Sequence, residues 1–283
     1  MHQQLSGRLG NQLFEWAFAH KLAFHYNKPV TLFHDRFHLS NPGDDLTDPG
    51  YICGHQVRVS QANIIGFVLK ILDYFSKYIQ DVAGFTKKLG ILRSNNSFLL
   101  PNLTKSRPKV ISGFCINKLV VEEFEAVLEE DLCQILENVA LLLPNDLNYQ
   151  VIHIRKGDYL TTDTSYGVLT ADYYLRNLGP EKISVVVTDD VDGAPEVVSK
   201  IQPNYIFTPK NSTAWETLKI MQHSNRLLMA NSTLSWWGGF LAARRGSHVI
   251  SPDPFYLRLD EKTNDLLQAK YFKPSKSEFV NYQ

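Results

Sequence analysis

The chain has 283 residues, of which 44% are hydrophobic and 20% are charged, so it is long enough for roughly two globular domains. Its 29 Lys and Arg residues balance its 29 Asp and Glu residues, and this zero net charge argues against a nucleic-acid-binding protein. The three cysteines lie far apart and show neither a disulfide framework nor metal-ligand spacing, which favours a reducing compartment.

The first half opens with a strand-turn-helix-strand pattern. Residues 3–6 predict a short strand, and residues 7–12 predict a turn whose two glycines allow a ligand to approach the backbone closely. Apolar residues at helical spacing fill 13–22, and residues 30–33 predict the next strand. The turn is not a dinucleotide-binding fingerprint, so alone it indicates little about function.

The stretch from 40 to 110 is harder to assign. Residues 41–50 are rich in Pro, Gly and Asp and predict a loop. Residues 64–80 place apolar and aromatic residues at helical spacing, which favours an internal helix over an amphipathic helix at a membrane or partner surface. Beyond them we predict a strand at 110–114, a helix at 122–136 and a domain linker at 144–146.

The second half alternates regularly between strands and helices. Such alternation with short turns predicts a parallel sheet covered by helices on both faces. The predicted strands are 151–155, 183–187, 205–207, 227–230 and 248–251, and the predicted helices are 171–178, 194–201, 214–224 and 235–244.

The most informative stretch is 151–161, where an apolar strand carries His153 and Arg155 and then stops at Gly157 and Asp158. Alternation places His153 and Arg155 on one face of the strand. Arg155 falls at the carboxyl end of the strand, where open α/β sheets place their ligands. Because Arg keeps its charge and offers a planar fork of donors, it suits a phosphate. The alternative is a turn shaped by a salt bridge between Arg155 and Asp158.

Two other strand ends carry polar groups suited to a nucleoside diphosphate. Asp189 follows a buried strand and offers a carboxylate for guanine or ribose, although it could equally be a solvated loop acid or the cap of the next helix. Asn231, Ser232 and Thr233 precede a helix whose N-terminus favours anions. Simple N-capping by Ser232 or Thr233 is the alternative there.

Three segments carry a family resemblance: SGRLGNQLFEWAFAHKLA (6–23), VIHIRKGDY (151–159) and LLMANSTLSWWGGFLA (227–242). In content, order and spacing they resemble the inverting α-1,2-fucosyltransferases of glycosyltransferase family 11. The middle motif is shared with other fucosyltransferases, whereas the paired-tryptophan motif is more particular to this family. No motif covers 40–110, where acceptor choice is expected to lie.

The resemblance implies an α/β, GT-B-like protein with two Rossmann-like domains whose parallel sheets face a cleft. The expected domains are 1–145, on the acceptor side, and 146–283, which would bind GDP-fucose. By position, Arg155 would hold the β-phosphate, supported by His153 and Asp158, and Asp189 would bind guanine. The remaining implied site residues are Ser232 and Thr233 with Asn231, at the phosphates, and Gly10 and Asn11, facing fucose and acceptor.

The implied reaction moves L-fucose from GDP-β-L-fucose to O2 of a terminal β-galactoside, with inversion. No Asp-x-Asp motif lies at a strand end, so we expect neither a metal nor a cofactor; fixed positive charge and N–H donors would stabilise the leaving GDP. Arg155, Asp158 and Asn11 are the expected catalytic residues. The base stays open among Asp158, Glu15, His34, Asp44 and a phosphate oxygen of GDP.

Two other functions stay open: a GT-B transferase with another nucleotide sugar or linkage, and a non-catalytic nucleotide-binding scaffold. The sequence shows no secretory leader and no apolar run of about 18 residues. We therefore expect a bacterial cytoplasmic enzyme that acts on a galactose-terminated oligosaccharide or lipid-linked glycan. Peripheral contact with the inner face of the membrane is the alternative to a purely cytoplasmic location, and no nucleic acid is expected.

Overall fold

The computed structural model describes residues 1–34, 44–46, 51–52, 55–56, 59–60, 88–94, 96–160, 166–190, 192 and 194–280. The chain forms two compact units, Met1–Ile135 and Leu136–Gln283. The boundary predicted from sequence lies between residues 145 and 146. The predicted helix at 64–80 lies outside the described residues, as does most of the predicted loop at 41–50.

Unit 1 contains a parallel sheet whose described strands have the order β5-β2-β1-β7-β6. Its strands are β1 (His2–Leu5), β2 (Thr31–His34), β5 (Val59–Ser60), β6 (Ile91–Arg93) and β7 (Val110–Ser112), and β3 (Tyr51–Ile52) pairs antiparallel with β4 (His55–Gln56). Helix α1 (Leu9–Tyr26) begins inside the turn predicted at 7–12, so Gly10, Asn11 and Gln12 are helical and the prediction of a turn there was wrong. Because most of its side chains are buried, α1 forms the centre of this unit's core.

The helix predicted at 122–136 is present at Glu125–Glu137, and a short helix that was not predicted precedes it. Helix α2 (Lys118–Glu122) begins where the side chain of Asn117 accepts a hydrogen bond from Leu119 N, 3.0 Å away. Helix α3 (Glu125–Glu137) follows after two residues. The N-cap at Asn117 explains where α2 begins, because an Asn there satisfies an N–H group that a helix leaves without an internal acceptor.

Unit 2 contains a six-stranded parallel sheet of order β10-β9-β8-β11-β12-β13. Its strands are β8 (Tyr149–Ile154), β9 (Ile183–Thr188), β10 (Tyr205–Phe207), β11 (Arg226–Leu228), β12 (His248–Asp253) and β13 (Lys273–Lys276). Its helices are α4 (Ala171–Asn177), α5 (Pro195–Ile201), α6 (Ala214–Gln222), α7 (Thr233–Arg244) and α8 (Glu261–Asp265). The prediction of an α/β fold with two Rossmann-like halves is confirmed.

The strand order places a ligand crevice in unit 2. From β8 the chain moves outward to β9 and β10, then returns to β11 on the other side of β8. Ligands of open α/β sheets bind outside the carboxyl ends of the strands where the order reverses in this way. All six residues of β8 are buried, as expected for a central strand covered on both faces.

Five of the described strands were not predicted, and the two-residue strands β3, β4 and β5 are too short to show a pattern. Strand β6 has only three residues, too few for a period to show. Strand β13 has the sequence Lys-Pro-Ser-Lys, which lacks apolar alternation, and it lies at the edge of the sheet, where Pro and Lys are tolerated. Within the part of the chain that the structure describes, no helix has the length and apolar character needed to cross a membrane.

Trp236 on α7 should be a main contributor to the stability of unit 2. Its side chain is fully buried, and its indole N–H donates to Leu267 O at 2.8 Å. We expect Trp236→Ala to lower the free energy of unfolding by about 3–5 kcal/mol, because it leaves a cavity and an unpaired carbonyl. Urea denaturation measures this; Ile206→Ala on the exposed edge strand is the control, and an equal loss in the two variants would contradict the assignment.

Candidate active site

The turn that follows β8 is held by the carboxylate of Asp189, which directly follows β9. Oδ1 accepts hydrogen bonds from Lys156 N at 2.8 Å and Gly157 N at 3.3 Å, and Oδ2 lies 3.1 Å from Nη1 of Arg155. The register that pairs Ile154 with Thr188 brings these two strand ends together. Asp189 therefore orients the guanidinium of Arg155 at the carboxyl edge of the sheet.

Gly157 is required by this close approach. A Cβ atom at this position would lie 2.3 Å from Asp189 Oδ2, far inside van der Waals contact. Any side chain would displace the carboxylate or the turn. The close contact with Asp189 therefore explains why the His-x-Arg-x-Gly-Asp pattern has a glycine at this position.

Tyr159 connects Arg155 to the next strand end. Its ring centroid lies 5.3 Å from Cζ of Arg155, within range of a cation–π interaction. Its hydroxyl donates to Asn231 O at 2.9 Å, and both groups are buried. Tyr159 therefore joins the carboxyl ends of β8 and β11, the two strands between which the order reverses.

Asn231 in turn holds the segment that precedes α4. Its side-chain amide donates to Tyr166 O at 2.9 Å and to Gly167 O at 2.8 Å. Among the described residues, the buried Oδ1 of Asn231 has no hydrogen-bond partner. Asn231 therefore fixes two backbone carbonyls, and its role near a ligand stays a prediction.

Helix α7 starts at this turn, two residues earlier than predicted. Ser232 is the N-cap residue, but its side chain makes no capping hydrogen bond, and its N–H donates to Ala230 O at 2.9 Å. Ser235 instead reaches back, its hydroxyl accepting from Ala230 N at 2.9 Å. Thr233 is the first helical residue, so both predicted hydroxyls lie where the helix dipole favours an anion.

His153 lies in the buried centre of β8. Burial, with a smaller effect of the Arg155 charge, lowers its pKa from 6.5 to about 3. Its Nδ1 is a buried atom without a hydrogen-bond partner among the described residues. The imidazole is therefore neutral at physiological pH and adds no charge to the edge of the sheet.

An aromatic cluster that was not predicted from the sequence lies beside Arg155. The rings of Tyr159 and Tyr166 have centroids 5.0 Å apart, and Tyr166 lies 4.8 Å from Tyr256. The position of Tyr166 in this cluster follows from the turn after β12, which carries Tyr256, and no local sequence signal marks that proximity.

The site residues predicted in unit 1 lie at the start of α1. Gly10 and Asn11 occupy its first turn, and Asn11 N donates to Arg8 O at 2.9 Å. Gly7 before them has a positive φ of 69°, and a Cβ there would meet Asn11 Nδ2 at 2.5 Å. The β1–α1 turn thus places the Asn11 side chain tightly over Gly7.

The candidate bases differ in environment. Glu15 is fully buried and accepts from both the N–H and the hydroxyl of Ser6, and burial raises its pKa well above the usual value. This places it in support of the β1–α1 turn. Asp158 lies on the 3-10 helix Gly157–Leu160, and its side chain lies outside the described residues.

In the part of the chain that is described, no three His, Cys, Asp or Glu residues group as metal ligands.

Comparisons with known proteins cover both halves of the chain. The profile of Glycosyl transferase family 11 matches residues 128–268, which include Arg155, Asp189 and the turn at 231–233. The O-antigen biosynthesis glycosyltransferase WbnK of Escherichia coli is 24% identical over 294 residues, covering 90% of this chain and 95% of WbnK. An alpha-1,2-colitosyltransferase of Escherichia coli is 22% identical over 297 residues, covering 96% of this chain and 98% of that protein.

Among solved structures, NodZ alpha-1,6-fucosyltransferase soaked with GDP-fucose aligns with 86% of this chain and 92% of its own. The sequence identity is 10% and the TM-score is 0.49.

The burial of neutral His153 predicts a pH dependence of stability. Because the folded-state pKa is lowered, the contribution of His153 is fully present above pH 6.5 and is lost as the pH falls toward about 3. Between pH 6.5 and pH 5 the free energy of unfolding should fall by about 2 kcal/mol because of His153, at 1.36 kcal/mol per pH unit. Urea denaturation should show a steeper loss for the wild type than for His153→Gln; equal losses would contradict the prediction.

Proposed function

We propose, from the premise that this chain is a glycosyltransferase of the family 11 type, that it transfers L-fucose from GDP-β-L-fucose to O2 of a terminal β-galactoside. The observation that carries the proposal is the fixed guanidinium of Arg155 at the strand reversal of unit 2, next to the N-terminus of α7. This arrangement suits a diphosphate leaving group. The name of WbnK supports a bacterial surface glycan as acceptor.

The transfer reaction depends mainly on positive charge that is fixed near the leaving diphosphate before the reaction begins. The acceptor O2 attacks the anomeric carbon from the face opposite GDP, the bond from that carbon to the phosphate oxygen breaks with its electron pair on GDP, and the β-linkage becomes α. The proton of the 2-hydroxyl passes to a base, for which the candidates stay Asp158, Glu15, His34, Asp44 and a phosphate oxygen of GDP. Negative charge then grows on the β-phosphate. Arg155 would stabilise that charge together with the α7 N-terminus, and donors fixed before the reaction need not reorganise. We propose that no metal takes part.

The contacts of Asp189 bear on guanine binding. A carboxylate offers about four lone-pair sites, and Asp189 accepts from Lys156 and Gly157 while pairing with Arg155. We propose that its main task is to orient Arg155. Because these contacts use the same carboxylate, we propose that groups other than Asp189 contribute most of the binding of guanine.

A second donor is favoured by one comparison. The relative named as an alpha-1,2-colitosyltransferase aligns with 96% of this chain, and colitose is L-fucose without its 3-hydroxyl. The same diphosphate site would serve either donor. The acceptor is proposed to be a nascent or lipid-linked polysaccharide at the inner face of a bacterial membrane.

A donor and acceptor panel tests the proposal. The purified chain is given GDP-fucose or GDP-colitose with a β-galactoside, its 2-deoxy analogue or its 3-deoxy analogue, with and without excess EDTA. We expect transfer from GDP-fucose to the parent and 3-deoxy compounds only, unaffected by EDTA. NMR should show an α-1,2 linkage. Fucose on O3, or preference for GDP-colitose, would contradict the assignment of linkage or donor, and GDP binding without any transfer would favour a non-catalytic protein.

Replacement of Arg155 tests the diphosphate site. Arg155→Lys and Arg155→Ala should each lower kcat/KM for the donor by roughly 10²–10³, because Lys cannot pair with Asp189 and a phosphate through one planar fork. The control is Arg176→Lys, an exposed arginine of unit 2 whose side chain is 42% accessible. Near-normal turnover by the Arg155→Lys variant would rule out this role.

A further inference from the structure

The side chain of Gln12 makes an unusual set of contacts at the carboxyl edge of the sheet in unit 1. Gln12 lies in the first turn of α1 and is fully buried. Its Nε2 donates to Gly7 O at 3.1 Å and to Asp45 Oδ1 at 2.7 Å. Its Oε1 accepts from Leu46 N at 2.8 Å. One amide thereby connects the β1–α1 turn to the segment at 44–46.

The segment at 44–46 has a second anchor. The side chain of Leu46 is fully buried, and its carbonyl oxygen lies 3.1 Å from Nε2 of His34, the last residue of β2. Since a carbonyl can only accept, this nitrogen carries the proton and donates. The segment is therefore fixed to the end of β2 as well as to the start of α1.

This edge is where unit 1 should bind a ligand. Its strand order reverses between β1 and β7, so the crevice lies outside the carboxyl end of β1, at the Gly7 turn. The segment brings two carboxylates, Asp44 and Asp45, to this edge, while Arg8 before α1 adds one positive charge. Carboxylates repel a diphosphate and accept hydrogen bonds from sugar hydroxyls.

We propose that Gln12 is a positioning residue that holds segment 44–46 at this edge through Asp45 and Leu46, and that the carboxylate of Asp44 binds hydroxyl groups of the acceptor glycan. The inference rests on the proposed function and adds to it a residue that controls acceptor binding. A primary amide is required, because Gly7 O and Asp45 need a donor while Leu46 N needs an acceptor. Glu would bring a second carboxylate against Asp45, and Leu would leave buried polar groups unsatisfied.

Three variants test the inference: Gln12→Leu, Asp45→Ala and Asp45→Asn. Gln12→Leu and Asp45→Ala should raise the KM for a p-nitrophenyl β-galactoside roughly tenfold, the usual effect of losing a hydrogen bond to a charged group. Asp45→Asn should stay within about threefold of wild type, because its amide oxygen still accepts from Gln12. The dissociation constant of GDP, measured by calorimetry, should be unchanged in all three.

A thermal unfolding curve shows whether Gln12→Leu folds. If it does not fold, the comparison of Asp45→Asn with Asp45→Ala still tests the positioning role. Equal damage from Asp45→Asn and Asp45→Ala would mean that the charge itself is used and would overturn the positioning role. A change in kcat or in GDP affinity with a normal acceptor KM would overturn it as well.

Hydrogen exchange at the Leu46 amide separates this inference from the proposed function. Loss of the Gln12 acceptor should speed exchange at this amide in Gln12→Leu, and Asp45→Asn should leave exchange unchanged. If the wild type transfers no sugar to the galactoside, the proposed function and the acceptor role fail together, and exchange still decides the anchoring. Unchanged exchange in Gln12→Leu would overturn the anchoring.

Discussion

The carboxylate of Asp189 is the constraint on which the candidate site of unit 2 depends. It takes two backbone N–H groups and one guanidinium from three consecutive residues, 155–157. Both side chains of the ion pair are only 12–13% accessible, so the pair is little screened by water. Removing one partner of such a pair leaves an uncompensated buried charge, which typically costs about 3–5 kcal/mol. The orientation of Arg155 is therefore part of the fold as well as of the chemistry.

A series of hydrogen bonds connects this turn to the last described residues of the chain. Tyr159 fixes the Asn231 turn, and Asn231 fixes the carbonyls of 166–167. That segment is in turn braced by the C-terminal residues, since Thr170 N donates to Glu278 O and Val280 N donates to Val168 O, both at 2.8 Å. Residues far apart in sequence thus hold one short surface in place.

Much of unit 2 could be predicted because its strands are apolar and short and are separated by clear turns. The ends of those strands identified Arg155, Asp189 and the turn at 231–233 as neighbours. Their partners could not be predicted. The pairing of Arg155 with Asp189 depends on the register of two strands. The Tyr159–Tyr166–Tyr256 cluster likewise depends on tertiary contacts alone.

Unit 1 was less predictable for a different reason. Its β1–α1 turn has glycines and a helical apolar pattern, and both were found, but the three-residue strand β6 carries no period. The contacts of Gln12 join residues 34 apart, and a single sequence holds no signal for such a pair. The sequence placed Gln12 in the predicted turn at 7–12 and gave no sign of these contacts. Its burial and its contacts with Gly7, Asp45 and Leu46 become apparent in the structure.

A crystal structure of the protein with GDP would test the central claim most directly. The account predicts a β-phosphate oxygen at about 2.8 Å from the guanidinium of Arg155, the usual length of a charge-assisted bond, with a phosphate oxygen near the first N–H groups of α7. Asp189 should keep its contacts with the turn at 155–157. A diphosphate bound elsewhere, or an Asp189 carboxylate turned away from Arg155 toward guanine, would contradict the account.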